Sequence, residues 1–453
     1  MAPRGRVRNA AEGIEAESAG LGARRAAARA VAELIGGARP PALDEALAQA
    51  VRAERLAPAD AALARAIATA TFRRLGLIRR TLDARLAKGL PADKPRLVAL
   101  LATATAQILD LAVPDHAAVD LAVRLAKADP RTAHMAGVAN AVLRRIARER
   151  DAILAGADPL ADNAPDWLGR RWVAAYGAER ADAIARAHLA GATIDLTPRD
   201  DADAWADRLG ATRLPTGSLR LPEGGPPIPE LPGFAEGAWW VQDAAAALPA
   251  RLLDVRPGER VLDLCAAPGG KTLQLASRGA RVTALDRSAP RLERLRENVS
   301  RLRLAVDITV ADALAFESED SDAVLLDAPC SATGTLRRHP DAAWIKTEAD
   351  IARLVDLQAR LVDRAAELVR PGGRLVYCTC SLEPEEGEAQ VAAFLARNAR
   401  FERVPVRPDE VGGLTELIDG NGDLRTLPCH LPEVAGTRGG LDGFFASRLR
   451  RTA

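Results

Sequence analysis

The first third of the chain shows one repeating pattern, in which apolar residues recur at spacings of three and four, the period of a helix with one buried face. The repeats are separated by the helix breakers Gly36-Gly37, Pro58, Pro91, Pro114 and Pro130. The predicted helices are 24–35, 43–55, 59–75, 94–109, 116–127 and 133–150. No alternating strand pattern interrupts them, so the region 20–155 is predicted to form an all-α bundle.

From about residue 239 the pattern changes to short β-rich runs that alternate with amphipathic helices. The predicted strands are 260–264, 281–285, 306–310, 321–326 and 374–378, and the predicted helices are 271–277, 289–303, 350–368 and 386–398. This alternation predicts a Rossmann-like α/β domain over 236–453, with a parallel sheet covered by helices on both faces. In such a sheet the ligand binds at the carboxyl ends of the strands.

The region between these two parts is less regular. A polar, alanine-rich stretch at 158–164 is typical of a linker, and helical segments follow it as far as His188. A short strand is predicted at 193–197, a helix at 202–209, and a loop with five prolines at 222–232. We therefore expect a small α+β module over 160–235. Residues 1–19 are predicted to form a disordered arm.

The composition is that of a folded globular protein, and the charge is unevenly distributed. Of the 453 residues 48% are hydrophobic and 27% are charged. The net charge of +1 hides a split, because residues 1–150 carry +10 and the remainder carries −9. A basic first third is consistent with a domain that faces nucleic acid, although arginines on a solvated helix face would give the same charge.

The chain shows no stretch of about 18 uncharged apolar residues, so no membrane span is predicted. The arginine-rich first residues are not followed by the apolar region of a signal peptide. The five cysteines are an odd number spread over a long chain, which argues against a disulfide framework and for a reducing cytoplasm.

Three predicted strands are followed by residues suited to a nucleoside ligand. The first is followed by Cys265-Ala266-Ala267-Pro268-Gly269-Gly270-Lys271, where small residues let a ligand approach the amino end of the next helix. Asp286 and Asp312 follow the next two strands and can accept hydrogen bonds from ribose hydroxyls and from an exocyclic amine. S-adenosylmethionine, a nucleoside with a sulfonium in place of a pyrophosphate, fits this arrangement best.

Two other nucleotide-binding motifs match the sequence of this loop in part. The dinucleotide fingerprint fails because only the Gly269-Gly270 pair is present. The Walker pattern fails because Cys265 stands where its first glycine belongs. A P-loop ATPase is the alternative enzyme that remains open at this stage.

The last two predicted strands are each followed by a cysteine, within Asp327-Ala328-Pro329-Cys330-Ser331 and Tyr377-Cys378-Thr379-Cys380-Ser381. A methyl donor beside two thiols suggests methylation of cytosine, because a thiolate that adds to C6 makes the electron-poor C5 nucleophilic. One cysteine would add to the base and the other would help to resolve the adduct. Asp327 is placed to protonate N3 of the base. No CxxC pair or histidine cluster supports a metal site.

These three cysteine-containing segments closely resemble those of the RNA cytosine-C5 methyltransferases of the Nop/Sun family. The resemblance implies that Cys380 is the nucleophile and that Cys330 assists product release. It also implies that S-adenosylmethionine contacts Cys265 to Lys271, Asp286, Asp312 and Asp327. One departure is Gly387, which stands where the family usually has an asparagine, and we expect it to loosen the start of the following helix.

The first third of the chain is similar to the NusB-type RNA-binding bundles that precede the catalytic unit in some members of this family. The similarity rests on the segments 115–120 and 139–144, and Pro165 to Trp172 and Gly443-Phe444-Phe445 also fit the family. The resemblance implies a cytoplasmic, monomeric enzyme whose substrate is one cytidine of small-subunit ribosomal RNA. The same chemistry on a transfer RNA and a non-catalytic RNA-binding factor remain the alternatives.

Overall fold

The computed structural model describes residues 20–37, 40–91, 93–111, 113–434 and 436–452. The predicted arm 1–19 lies outside the described residues. The chain divides into two compact units. Unit 1 contains the described residues up to Gly169 together with His339–Ile345, and unit 2 contains 170–338 and 346–452.

Unit 1 is helical throughout its described residues. Its helices are α1 (Leu21–Gly36), α2 (Leu43–Glu54), α3 (Pro58–Arg73), α4 (Leu75–Asp83), α5 (Pro95–Asp110), α6 (Asp115–Ala128), α7 (Ala136–Arg148), α8 (Arg150–Ala155) and α9 (Pro159–Asn163). All residues from Leu97 to Leu109 of α5 are buried, as expected for a helix surrounded by others. Alanines fill much of the core, so neighbouring helices pack closely.

The segment His339–Ile345 packs within unit 1, although it lies far along the chain from the bundle. Asp341 Oδ2 accepts a hydrogen bond of 3.0 Å from the backbone N–H of Leu43, the first residue of α2. It thereby caps a helix that has no side-chain cap of its own. Trp344 Nε1 donates to the Phe72 carbonyl at 2.9 Å. The predicted pattern of helices gave no sign of this segment.

Unit 2 begins with helices and a small sheet. The division between the units falls within α10 (Asp166–Tyr176), which is followed by α11 (Ala178–Ala190). The small sheet has the order β2-β3-β1-β4, with β1 (Asp195–Pro198), β2 (Thr212–Arg213), β3 (Leu219–Arg220) and β4 (Trp239–Val241), and α12 (Ala202–Leu209) follows β1. Arg220 and Asp195 form a fully buried bidentate ion pair across β3 and β1, with N–O distances of 2.7 and 2.8 Å. Only β1 of these strands was predicted.

The main sheet of unit 2 has the path β10-β14-β9-β8-β5-β6-β7, with β11 paired to β14. Its parallel part consists of β5 (Arg260–Leu264), β6 (Arg281–Asp286), β7 (Val306–Val310), β8 (Ser321–Asp327) and β9 (Val369–Thr379). The helices of this part are α13 (Leu248–Leu252), α14 (Gly270–Ser277), α15 (Ala289–Leu302), α17 (Glu348–Glu367) and α18 (Glu388–Arg397). The helix α16 (Ala342–Ile345) lies between α15 and α17 in the sequence but belongs to unit 1.

The five predicted strands pair in parallel, as expected, and three antiparallel strands that were not predicted extend one edge of the sheet. These are β10 (Phe401–Arg403), β11 (Leu424–Thr426) and β14 (Phe444–Arg451), while β12 (Glu433–Val434) and β13 (Thr437–Arg438) form a separate pair. Strand β14 is buried from Phe444 to Leu449 between β9 and β10. It covers the edge that β9 would otherwise expose.

Among the residues that the structure describes, none of the helices combines the length and apolar character needed to span a membrane.

Candidate active site

The loop after β5 turns sharply into α14. Cys265 has a φ of 62° and Gly269 a φ of 111°, both in the left-handed region, and α14 begins at Gly270. Glycine is required at position 269, because a Cβ there would lie 2.3 Å from Leu295 Cδ1. Burial raises the pKa of the Cys265 thiol to about 12, so this cysteine is an unreactive loop residue.

Asp286, at the end of β6, is bound into this loop. Its carboxylate accepts hydrogen bonds from the backbone N–H groups of Ala267 (3.3 Å) and Ser288 (2.8 Å). Arg291, one turn into α15, lies 3.7 Å from Asp286 Oδ2 and also donates to the Ala267 carbonyl. The carboxylate is therefore fixed beside the turn that leads to α14.

Asp312 is exposed, unlike the predicted cofactor carboxylates Asp286 and Asp327. It follows β7, and its Oδ1 accepts a 3.0 Å hydrogen bond from the backbone N–H of Leu314, within its own turn. The structure thus places Asp312 at the expected edge of the sheet, where its second carboxylate oxygen has no hydrogen-bond partner among the described residues.

Asp327 and Lys271 form an ion pair between the ends of β8 and α14. Lys271 Nζ donates to Asp327 Oδ2 at 2.8 Å and lies 4.8 Å from the centre of the Phe444 ring. Burial would lower the pKa of the Lys271 amine, but the negative charge of Asp327 outweighs it and the pKa is raised. Lys271 is therefore a charged group inside the site. The Cys378 thiol contacts Asp327 Oδ1 at 3.5 Å.

The two predicted catalytic thiols lie in contact. Cys330 follows β8, Cys380 follows β9, and their sulfur atoms are 3.4 Å apart. The loops that carry them are joined by a 3.0 Å hydrogen bond from the Gly334 N–H to the Cys380 carbonyl. The hydrogen bond to Cys380, and then burial, raise the pKa of the Cys330 thiol well above its usual value. Both causes favour the protonated form of the Cys330 thiol.

Sequence reasoning missed the side chain that ties the two loops together. The Glu386 carboxylate is fully buried and accepts hydrogen bonds from the residue after each cysteine, Ser331 (N at 2.9 Å, Oγ at 2.5 Å) and Ser381 (Oγ at 2.6 Å). Gln358 Nε2 donates to it at 3.0 Å. A glutamate six residues after Cys380, within an acidic run, was the only signal available. Its acceptor oxygens set the spacing of the two thiols.

Replacing Glu386 by alanine is expected to reduce the free energy of unfolding by roughly 3 kcal/mol, because several buried donors lose their acceptor. Denaturant unfolding followed by circular dichroism measures this change. The matched control is Glu385→Ala, since Glu385 is exposed and forms a surface ion pair with Arg171, whose loss should cost below about 1 kcal/mol. Equal destabilisation by the two variants would contradict the proposed bridging role.

The departure at Gly387 has a structural explanation. Helix α18 begins at Glu388, one residue beyond it, and Gly387 provides no side-chain cap. A Cβ at position 387 would lie 2.6 Å from Arg425 Nη2. Arg425 instead fills this space, pairs with Glu388 at 2.6 Å and donates to the Ser381 carbonyl at 2.6 Å. An arginine from β11 thus holds the loop after Cys380.

The far end of the Cys330 loop is anchored by buried charges. Arg338 donates to Asp243 (2.5 Å), to Asp442 (3.0 Å) and to the Thr193 carbonyl (3.1 Å). These partners precede β14 and flank the small sheet, so the loop is fixed at both ends. No group of three or more potential metal ligands occurs among the described residues, and the Cys378 thiol contacts Asp327.

Two family models match the chain. Residues 250–450 match the 16S rRNA methyltransferase RsmB/F family and residues 22–148 match the NusB family. The solved structure of PH0851 superposes with a TM-score of 0.72 at 25% identity, over 94% of this chain and 98% of that one.

Curated relatives match over most of their length. Ribosomal RNA small subunit methyltransferase B from Xylella fastidiosa is 38% identical over 404 residues, 85% of this chain and 90% of the relative. The protein of the same name from Pseudomonas putida is 34% identical over 451 residues, 95% of this chain and 98% of the relative. The predicted fold and enzyme class are thereby confirmed, and the ATPase alternative is excluded. The chain is a methyltransferase and belongs to the RsmB/F family of 16S rRNA methyltransferases.

Proposed function

We propose that this enzyme transfers a methyl group from S-adenosylmethionine to C5 of one cytidine in 16S ribosomal RNA, through a covalent bond between Cys380 and C6 of the base. The observation that carries the proposal is the contact of two thiols, 3.4 Å apart, beside the Lys271–Asp327 pair. Methylation of an exocyclic nitrogen or of a ribose hydroxyl needs no such pair of thiols, because those atoms are already nucleophilic.

The two thiols take different roles because their environments differ. Cys380 adds to C6, and the electrons of the C5–C6 double bond become available at C5. After transfer, a base removes the C5 proton, the double bond reforms and Cys380 leaves as a thiolate. Cys330, whose raised pKa keeps it protonated, is placed to donate a hydrogen bond to that leaving sulfur.

Asp327 is proposed to hydrogen-bond N3 of the cytosine. Lys271 Nζ donates to Asp327 Oδ2 at 2.8 Å and thereby holds the Asp327 carboxyl group in place. Asp327 is therefore proposed as the acid that protonates N3 when the thiolate adds to C6, and Lys271 as the residue that positions it.

The residues at the ends of β5, β6 and β7 fit S-adenosylmethionine. Asp286 and Asp312 supply carboxylates for the ribose hydroxyls and the adenine amine, and the backbone N–H groups at Gly269 to Lys271 can bind the ligand's carboxylate. Cys265 to Pro268 would line the same loop. When bound, S-adenosylmethionine supplies an electrophilic methyl group.

Asp286→Ala is expected to weaken S-adenosylmethionine binding about 10- to 100-fold, because two charge-assisted hydrogen bonds to the ribose are lost. Isothermal titration calorimetry measures the Kd. Asp307→Ala, an exposed position on β7, is the control and should leave the Kd unchanged. A Kd for Asp286→Ala within twofold of wild type would remove Asp286 from the proposed cofactor site.

The proposed function gives each part of the chain a role. We assign 20–155 as a NusB-like RNA-binding domain, 160–235 as a small module that contacts RNA and 236–453 as the catalytic domain. The excess of basic residues in the first 150 residues supports an RNA-facing role for the bundle.

The test is to incubate the full-length protein with tritiated S-adenosylmethionine and, in separate reactions, with naked 16S rRNA, assembled small subunits and total tRNA. Digestion to nucleosides should give labelled 5-methylcytidine from an rRNA substrate. Label in tRNA alone would keep the chemistry and overturn the substrate. Labelled nucleosides other than 5-methylcytidine would overturn the reaction, and no label in any substrate would favour the non-catalytic RNA-binding factor.

A further inference from the structure

A cavity of about 230 Å³ lies in unit 2 beside α14, and its charged lining is entirely cationic. Arg199, Arg251 and Arg278 line it, together with the hydroxyl residues Thr197, Thr216, Ser218 and Ser277. No carboxylate is among the described residues around it. The volume is several times the ~30 Å³ that one water molecule occupies in the liquid, so the cavity has room for a phosphate group.

The three arginines have no counterion. Among the residues that the structure describes, none of the three has a carboxylate oxygen within 4 Å, whereas Arg338, Arg425 and Arg448 of the same unit are each paired with a carboxylate. Burial, and then the charge of Arg278, lower the pKa of the Arg251 guanidinium. Glu410, the carboxylate that acts on Arg251, is already bonded to Arg448 at 2.5 Å. Like charges left together around a cavity are stabilised by an anion.

A buried hydroxyl adds a second, independent observation. Thr216 is only 2% exposed and lines the cavity, yet its Oγ1 has no hydrogen-bond partner among the described residues. Thr197 Oγ1 bonds Gln242 at 3.0 Å, and Gln274 Nε2 bonds the Ala247 carbonyl at 2.9 Å. Arg199 and Arg251 each use Nη1 to donate to a backbone carbonyl, that of Leu302 and that of Thr216 respectively. The donors left for a ligand are the remaining guanidinium N–H groups and the Thr216 hydroxyl. This set matches the several acceptor oxygens of a phosphate.

We propose that this cavity binds one phosphodiester of the RNA substrate, a proposal that rests on the proposed function for its choice of RNA. Helix α14 joins the cavity to the cofactor loop, because it begins at Gly270 and ends at Ser277 beside Arg278. Its eight residues span about 12 Å, a distance that a few nucleotides cover. An enzyme that turns a base out of its stack must hold the neighbouring backbone, and phosphate contacts provide that hold.

The test compares the full-length wild type with Arg251→Gln, Arg278→Gln and the double variant. Binding of 16S rRNA is measured over a range of salt concentrations, and kcat and KM for methyl transfer are measured at one salt concentration. The double variant is expected to raise the Kd about tenfold and to reduce the slope of log K against log salt by about 1, with KM raised and kcat unchanged. Arg400→Gln, an exposed arginine outside the cavity, is the matched control and should behave as wild type.

Arg278→Gln keeps the test valid if loss of the half-buried Arg251 disturbs folding, because Arg278 is exposed and its side chain forms no hydrogen bond or ion pair with the described residues. RNA binding is measured separately from methyl transfer. A wild-type protein that binds rRNA but transfers no methyl group would contradict the proposed function, and its affinity for rRNA would still test the cavity proposal. Unchanged affinity and slope in the double variant would overturn the cavity proposal. The cavity proposal would also be overturned if the cavity binds inorganic phosphate while the variants keep the RNA affinity of the wild type. The cavity would then be a site for a small anion.

Discussion

Cys380→Ala is expected to lower the rate of methyl transfer by on the order of 10⁴-fold or more, while S-adenosylmethionine still binds with wild-type affinity. Without a thiol to add at C6, C5 of cytosine has too little electron density to attack a methyl group. Cys380 is half-buried at the end of β9 and contacts Cys330, whereas the proposed cofactor residues lie at the ends of β5 to β7. The variant therefore removes the chemistry and spares the cofactor site.

The measurement is a single-turnover assay with tritiated S-adenosylmethionine, paired with calorimetric titration of the cofactor. Cys429→Ala is the matched control, because Cys429 is also half-buried and lies outside the site. It should retain wild-type activity. Residual transfer by Cys380→Ala within tenfold of wild type would show that this thiol is not the nucleophile.

Cys330→Ala is expected to accumulate a covalent complex between protein and RNA. The nucleophile is intact in this variant, so Cys380 still adds to C6 and C5 is still methylated. Loss of the protonated neighbour 3.4 Å away removes the hydrogen bond that stabilises the leaving thiolate. Breakdown of the adduct then becomes slower than its formation. The complex should appear as a band of reduced mobility on a denaturing gel, dependent on both RNA and S-adenosylmethionine.

The double variant Cys330→Ala/Cys380→Ala should form no such band, since the thiol that bonds the base is gone. A band with Cys380→Ala and none with Cys330→Ala would reverse the assignment of the two thiols. Cys378→Ala should give no band, because Cys378 is fully buried against Asp327 and does not contact Cys330.

Much of the fold could be predicted because periodicity and local breakers determine it. Strands β5 and β7 and helix α12 have the predicted bounds, since apolar runs of fixed period are closed by glycine, proline or charged residues. The strands of two or three residues in the small sheet, and the antiparallel edge of the main sheet, escaped prediction. Runs of two or three residues carry no measurable period. The residues that pair between β14 and β9 lie 66 to 76 positions apart in the sequence, so no local pattern reveals the pairing.

The sequence predicted the site residues that directly follow strands. It missed the residues that hold the loops in place through partners far away in the sequence. Cys330 and Cys380 follow adjacent strands, so their meeting follows from the topology of a parallel sheet. Glu386 acts through a loop fold that brings Ser331 and Ser381 to one carboxylate, which spacing along the chain does not show. Arg425 compensates for Gly387 from β11, one of the strands that the pattern did not predict.

The most direct test of the proposed mechanism is to identify the residue that bonds the base. Incubating the wild-type enzyme with S-adenosylmethionine and 16S rRNA transcribed with 5-fluorocytidine should trap the adduct, because the fluorine at C5 cannot leave as the proton does. Protease and nuclease digestion followed by mass spectrometry then locates the modified peptide. A methylated fluorocytidine on the peptide that contains Cys380 is the predicted result. Modification of Cys330, or the absence of any adduct in an active enzyme, would contradict the account.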